Sequence, residues 1–224
     1  MPLTVYAPVT APRTKLDAIR AAGVRLETCP TYDDAEREAK RAAATSDALY
    51  ISPYSHPDVI AGAGTVGLEI AEEWAGVDAI VVPIGGGGLI SGIAIAAAAV
   101  SPGIAVYGVE VEASCPFTKG LAAGRIVEIE VGPTLADGLA GNLDPDTVTF
   151  DIVRDRVRRI VVVDEARLRE AIVGVVSRER QIVEGAGATA VAGVLAGLLP
   201  LRDRRVAVVL SGANIDLAKL KDIL

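Results

Sequence analysis

The segment Ala79-Ile80-Val81-Val82-Pro83-Ile84-Gly85-Gly86-Gly87-Gly88 constrains the fold of this chain more than any other. An unbroken apolar, β-branched run suits a strand buried on both faces, and such strands belong to parallel sheets covered by helices. Here the run empties into consecutive glycines, and an Ala-rich stretch of helical character follows to Val100. A strand that turns through glycine into a helix is the unit from which α/β folds are assembled.

The alternation holds along the chain. Leu3–Tyr6, Val24–Glu27 and Ala48–Ile51 read as strands, separated by helices over 12–22, closed by Gly23, and over 33–44. Pro53, His56 and Pro57 mark a connection after which the composition becomes more apolar, and a domain boundary is placed near Ser52. Beyond it the pattern predicts a helix over 59–74, strands at Ala105–Val109 and Ile160–Val163, and a helix after Pro116. Asp164 suits the cap of a helix over Glu165–Ser177. A helix over 187–198 precedes the last strand, Arg205–Leu210, which runs into Ser211-Gly212-Ala213-Asn214 and a terminal helix. Residues 126–149, rich in Gly, Pro and Asp, read as irregular. The predicted class is α/β, with mostly parallel sheets and helices on both faces. Residues 53–224 form a large domain, and residues 1–52 form part of a smaller α/β domain.

Charge and cysteine content exclude several functions. The formal net charge is −7 and no basic run occurs, which disfavours nucleic acid and anionic membranes as partners. The apolar stretch from Leu89 to Val100 is too short to span a bilayer. Two cysteines, Cys29 and Cys115, lack metal-ligand spacing, and the start resembles no signal peptide, so a cytoplasmic, reduced protein is expected.

In open α/β sheets, ligands bind at the carboxyl ends of strands. Residues without Cβ let backbone amides converge on an anion, and the following helix N-terminus adds partial positive charge. No P-loop lysine follows Gly88, and the GxGxxG spacing is lacking, so one phosphate on a small cofactor fits better than a nucleotide. A tight turn for close helix packing is the plainer alternative. Ser211 suits a hydrogen bond at the end of the last strand, although Asn214 beside it equally suits a helix cap. Glu184-Gly185-Ala186-Gly187-Ala188 permits close approach of a ligand or of another helix.

These segments together resemble the fold-type II pyridoxal-phosphate enzymes, and among them the threonine/serine dehydratase and serine racemase family. The resemblance spans essentially the whole chain and includes Ala11–Lys15, Pro53–Thr65 and Thr134–Ala140, the last pointing to the dehydratase branch. It implies that Gly85, Gly86, Gly87, Gly88 and Leu89 hold the phosphate of pyridoxal phosphate. It also implies that Ser211 faces the pyridine nitrogen and that Glu184 lines the pocket beside the ring. The implied reaction removes the α-proton and β-hydroxyl of a small hydroxy amino acid, giving a 2-oxo acid and ammonia. The substrate stays open between threonine, serine and a modified hydroxy amino acid, and the branch between dehydratase and racemase.

Two departures matter. In the family a Schiff-base lysine lies in a Ser-x-Lys-x-Arg-Gly-Ala segment, with a Ser-x-Gly-Asn-His loop after it, and neither pattern occurs in this sequence. Lys15, Lys40, Lys119, Lys219 and Lys221 are expected on solvated surface, and His56 in the connection. No catalytic residue is therefore assigned, and the chain alone is expected to be inactive. A complementing N-terminal chain, one half of a split enzyme, or a non-catalytic cofactor-binding or regulatory protein are the readings left open. A homodimer is a family expectation. Sheet edges are expected to be open, with marginal solubility or a partner covering them. Racemase-like members also hold a divalent cation through a glutamate after a Gly-Val strand end, a carbonyl, and an aspartate six residues on. Glu110 follows Gly108-Val109, but Pro116 occupies the aspartate position, so no metal is expected and Glu110 and Glu112 read as surface carboxylates.

Overall fold

The computed structural model describes residues 2–224, which divide into two compact units. One comprises the chain up to Ser52 together with Asn214–Leu224; the other is Pro53–Ala213.

In the first unit, β1 (Thr4–Pro8) and β2 (Arg25–Cys29) pair in parallel, Thr4 opposite Arg25 and Pro8 opposite Cys29. Helix α1 (Arg13–Ala21) joins them, and α2 (Tyr32–Ala44) follows. Pro12 is the N-cap of α1 rather than part of its first turn. Thr31 starts α2 with a reciprocal cap: its hydroxyl accepts from the Asp34 amide, and the Asp34 carboxylate accepts from the Thr31 amide. The strand expected at Ala48–Ile51 does not form. Its apolar side chains are unburied, Leu49 77% and Ile51 52% exposed, because no neighbouring strand pairs with it. A terminal helix, α9 (Leu217–Ile223), belongs to this unit and buries Leu220 and Ile223.

The second unit is built on a parallel sheet of order β5-β4-β3-β6. Its strands are β3 (Ala79–Pro83), β4 (Ala105–Val111), β5 (Arg159–Val163) and β6 (Val206–Val208). The chain steps outward from β3 through β4 to β5, then returns to the free side of β3 as β6. Ala79 faces both Ala105 and Val206 in register, and the ladder continues as the Val209 amide donates to the Val81 carbonyl. The β-branched run reads correctly: every residue of β3 is buried.

Helices α3 (Pro57–Glu73) and α4 (Gly88–Val100) pack tightly on each other because their contact is lined by small residues. A Cβ on Gly92 would lie 2.3 Å from the Ile60 carbonyl oxygen, so only glycine permits the approach. His56 caps α3, its Nδ1 accepting from the Asp58 amide. Ile80, Val82, Ile90, Ile93, Phe117 and Phe150 fill one core cluster. Full burial of side chains of this size stabilises by about 1.5–3 kcal/mol each.

Helix α5 (Pro116–Ala123) begins at Pro116, where a helix is expected. Helix α6 (Thr149–Arg156) starts at the end of the stretch read as irregular and runs through residues for which the sequence pattern predicts no element. The helix begun by Asp164 divides into α7 (Glu165–Gly174) and a π-helical stretch, Val175–Glu179. Helix α8 (Gly185–Leu195) starts earlier than expected and takes in Gly185 and Ala186. Among the described residues, no helix is long and apolar enough to cross a membrane.

Candidate phosphate and cofactor site

The glycine turn leaves the carboxyl end of β3 and enters α4 within the second unit. Gly87 is the N-cap of α4 at φ +86°, a backbone conformation natural only to glycine, and no side chain caps the helix. Among the described residues, no acceptor takes the amides of Gly85, Gly86, Gly87, Gly88 or Leu89; the first bonded amide is that of Ser91, donating to the Gly87 carbonyl. Gly85, Gly86 and Leu89 are partly exposed, so the row of free donors is open to a ligand. Inside the same first turn, the buried Ser91 hydroxyl also has no partner. Uncommitted amides at a helix N-terminus form an anion site, with the helix dipole adding to them.

Aromatic and hydroxyl side chains hold this turn. A Cβ on Gly86 would fall 2.3 Å from Tyr54 Cγ, and one on Gly88 would fall 2.5 Å from the Tyr54 carbonyl oxygen. Tyr54 is itself fixed, its hydroxyl accepting from the Asp144 amide at 2.9 Å. Thr149, fully buried, donates from Oγ1 to the Gly86 carbonyl at 2.8 Å. The Phe117 ring lies against Gly87 and stacks on Phe150, with centroids 6.1 Å apart. Sequence reading singled out none of Tyr54, Thr149 or Phe117. Tyr54 lay inside the segment carrying the resemblance, but nothing in local spacing showed what it touches.

The other segments converge on this end of the sheet. A Cβ on Gly85 would lie 3.2 Å from Leu139 Cα, and one on Gly138 lies 3.2 Å from Ala186 Cβ. The Thr134–Ala140 segment therefore bridges the glycine turn and the start of α8. Glu165 anchors it, accepting from the Thr134 hydroxyl and, at 2.9 Å, from the Leu135 amide. Glu184 is the N-cap of α8, and its amide donates to the Gly212 carbonyl at 3.0 Å. Glu184 thus sits beside Ser211, which is exposed just past β6. Gly212 and the Glu184 carboxylate are in close contact: a Cβ on Gly212 would lie 2.2 Å from Glu184 Oε1, the movable end of that side chain. A cavity of about 820 Å³ lined by Ile104, Tyr107, Arg158 and Pro200 opens at the amino ends of β4 and β5, the wrong end of the strands for this site.

Glu110 corrects the expectation of a surface carboxylate: it is fully buried. Oε1 accepts from the Phe117 amide at 2.9 Å, and Oε2 accepts from the Thr118 amide at 2.8 Å and the Thr118 hydroxyl at 2.6 Å. Burial pushes its carboxyl above the usual carboxylate range, against the pull of these Thr118 and Phe117 donors. Glu112 is exposed as expected. Among the described residues no cluster of His, Cys, Asp and Glu is arranged to hold a metal. The lysines only partly match the solvated surface expected of them. Lys119 and Lys221 are exposed, whereas Lys15, Lys40 and Lys219 are half-buried, Lys40 lying 5.8 Å from the Tyr50 ring centroid. Of these, Lys119 alone belongs to the unit holding the glycine turn.

A parallel α/β sheet whose strand end opens into unbonded glycine amides at a helix N-terminus is an arrangement suited to accept an anionic group such as a phosphate. The chain belongs to the pyridoxal-phosphate dependent enzyme family, matched over residues 1–212. It is 37% identical to an L-threonine ammonia-lyase of Thermotoga maritima, over 100% of this chain and 56% of that protein. Among solved structures it is similar to maize serine racemase, with TM-score 0.89 and 31% identity, covering 99% of this chain and 69% of that one. It is also similar to the processed form of threonine deaminase isoform 2 from Solanum lycopersicum, with TM-score 0.88 and 32% identity, covering 98% and 65%. The chain spans about half the length of the curated threonine ammonia-lyases it matches, 56% and 54% of the two from Thermotoga maritima and Geobacter sulfurreducens. The free amides of the glycine turn fit the phosphate of the family's cofactor.

Proposed function

We propose that this chain holds pyridoxal phosphate by its phosphate on Gly85, Gly86, Gly87, Gly88 and Leu89 and serves the β-elimination of a small hydroxy amino acid, threonine or serine in type. One observation carries the reading: the unclaimed amides at the N-terminus of α4, supported from behind by Tyr54, Thr149 and Phe117. The cofactor, when bound, supplies the electron sink for chemistry at the amino acid's α-carbon. The amides of the turn bind and orient the phosphate. Glu184, held to Gly212 through its amide, forms the wall beside the ring. Ser211 offers a neutral hydroxyl to the ring nitrogen, which leaves that nitrogen largely unprotonated and favours elimination over wider carbanion chemistry.

The α-proton must be moved by a lysine, and none of this chain's lysines stands in the family's sequence context. Turnover therefore requires a lysine-bearing segment in the same polypeptide or in a partner chain, and the 224 residues alone are expected to be inactive. A non-catalytic cofactor-binding protein is the second reading, favoured by the exposure of Lys119. The test incubates the purified chain with pyridoxal phosphate, adds borohydride and measures intact mass, alongside a threonine deamination assay. Saturable binding with no reduced adduct and no 2-oxobutanoate is expected. A specific lysine adduct or robust turnover refutes the inactivity, and failure to bind pyridoxal phosphate refutes the cofactor reading. Turnover restored by a separate lysine-bearing chain would select the split enzyme over the binding protein.

A further inference from the structure

We propose that Glu110 is a positioning residue for the phosphate turn, acting through Phe117, and that the N-terminus of α5 does for its carboxylate what a bound cation would otherwise do. The proposal rests on the reading of Gly85–Leu89 as the phosphate holder.

A fully buried carboxylate needs either a counter-charge or several good donors. Glu110 has the donors: two consecutive amides, Phe117 and Thr118, and the Thr118 hydroxyl. Both oxygens are engaged, and both are directed at the first turn of α5, where unpaired amides and the helix dipole favour an acceptor. Ser114, between Glu110 and α5, spends its hydroxyl on the carbonyls of Leu139 and Gly141. Residue 116 is a buried proline, which begins the helix and offers no side-chain oxygen. The chemistry present suits helix capping and not coordination.

The cap has a consequence for the turn. The Phe117 amide that Glu110 holds fixes the residue whose ring meets Gly87: a Cβ on Gly87 would lie 2.6 Å from Phe117 Cζ. Gly87 is the N-cap of α4, and its carbonyl accepts the first amide bond of that helix, from Ser91. A chain of direct contacts therefore runs from Glu110 through Phe117 to Gly87, the midpoint of the free amides. Removing the carboxylate's charge, or the Thr118 hydroxyl, loosens α5 at its start and lets the ring under Gly87 shift.

The experiment uses the full chain with Glu110→Gln and Thr118→Val. Binding of pyridoxal phosphate and of pyridoxal, which lacks the phosphate, is measured by equilibrium dialysis. Each substitution is expected to weaken pyridoxal phosphate about fivefold, the order of effect usual for coupling through packed neighbours, and to leave pyridoxal unchanged. An equal loss for both ligands, or no loss, overturns the positioning role. Exchange of the Ser91 amide is a ligand-free second readout: faster exchange in both variants is expected, and unchanged exchange overturns the proposal. Should Glu110→Gln fail to fold, Thr118→Val carries both readouts. If the wild-type chain binds pyridoxal phosphate no better than pyridoxal, the phosphate reading fails, while Ser91 exchange still judges Glu110. Magnesium, calcium or EDTA is expected to leave the wild-type thermal midpoint unchanged; a saturable rise with either cation, abolished by Glu110→Gln, overturns the helix cap as the cation's substitute.

Discussion

The ring of Tyr54 occupies the space into which a side chain at Gly86 would grow, with Cγ 2.3 Å from the position of a Cβ. The ring has little freedom to yield, because its hydroxyl is tied to the Asp144 amide and the residue is buried. Gly86→Ala is therefore expected to cost about 1–3 kcal/mol, the usual price of overpacking. Gly108→Ala is the informative comparison. A Cβ there would meet Ile84 Cδ1 at 2.1 Å, but that atom is the far end of a flexible side chain. Urea unfolding should find Gly86→Ala the more destabilised, and it alone should lose phosphate affinity. Equal effects on stability and on phosphate binding would show that Tyr54 does not fix the turn.

Thr149 supports the same turn by a polar contact. Its Oγ1 donates to the Gly86 carbonyl and lies 2.8 Å from the Thr147 hydroxyl, with no exposure to water. Valine keeps the shape and removes the donor, leaving a carbonyl with an unmet need. Leaving a buried polar group unsatisfied costs about 1–3 kcal/mol. Thr149→Val should lower stability by that order and weaken pyridoxal phosphate more than pyridoxal, whereas Thr149→Ser should restore most of both. A valine variant indistinguishable from wild type in thermal midpoint would contradict the assignment.

The reciprocal cap of α2 gives a prediction confined to the first unit. Thr31 and Asp34 each satisfy an amide at the start of the helix. Thr31→Ala removes the hydroxyl that accepts from Asp34 N, and loss of such a cap costs about 1 kcal/mol. Amide exchange should quicken in the first turn of α2 and leave β3 and α4 unaffected. Unchanged protection at Asp34 and Ala35 would contradict the capping role.

What could be read from sequence follows from which signals are local. The apolar run at Ala79–Val82 and the glycines after it announce a buried strand and its turn, and both are where that pattern puts them. Helix α6 was not legible, since Thr149–Arg156 follows a Pro- and Asp-rich stretch and buries only Thr149, Phe150 and Val153. Ala48–Ile51 failed for the opposite reason: its residues favour a strand, but a strand needs a neighbour. At the site, the glycines, Glu184 and Ser211 were named from motifs. Their supports were not, because Tyr54, Phe117 and Thr149 reach the turn across long stretches of chain. Glu110 reads as a surface group in sequence because its partners belong to a helix N-terminus, which has no acidic or basic signature.

The last prediction concerns acid. Asp78 lies at the amino end of β3, where its Oδ2 accepts from the Arg205 amide at 2.8 Å, and the Asp78 amide donates to the Arg205 carbonyl at 2.8 Å. These paired contacts tie β6 to β3 just before the ladder begins. The Arg205 amide bond, assisted by the Arg205 guanidinium, holds the Asp78 carboxyl below its ordinary value of 3.8. A carboxyl depressed in the folded state stabilises the fold above its unfolded pKa and loses that contribution as pH falls through its folded value. Asp78→Asn keeps an acceptor oxygen and removes the charge. The stability difference between wild type and this variant should be constant from neutral pH down to about pH 5. It should shrink below pH 3.8 and vanish at more acid values. Because the group is exposed, salt should narrow the difference at neutral pH. Urea unfolding of both proteins across this range checks the sign; a difference that widens on acidification would mean that the folded state favours the neutral acid.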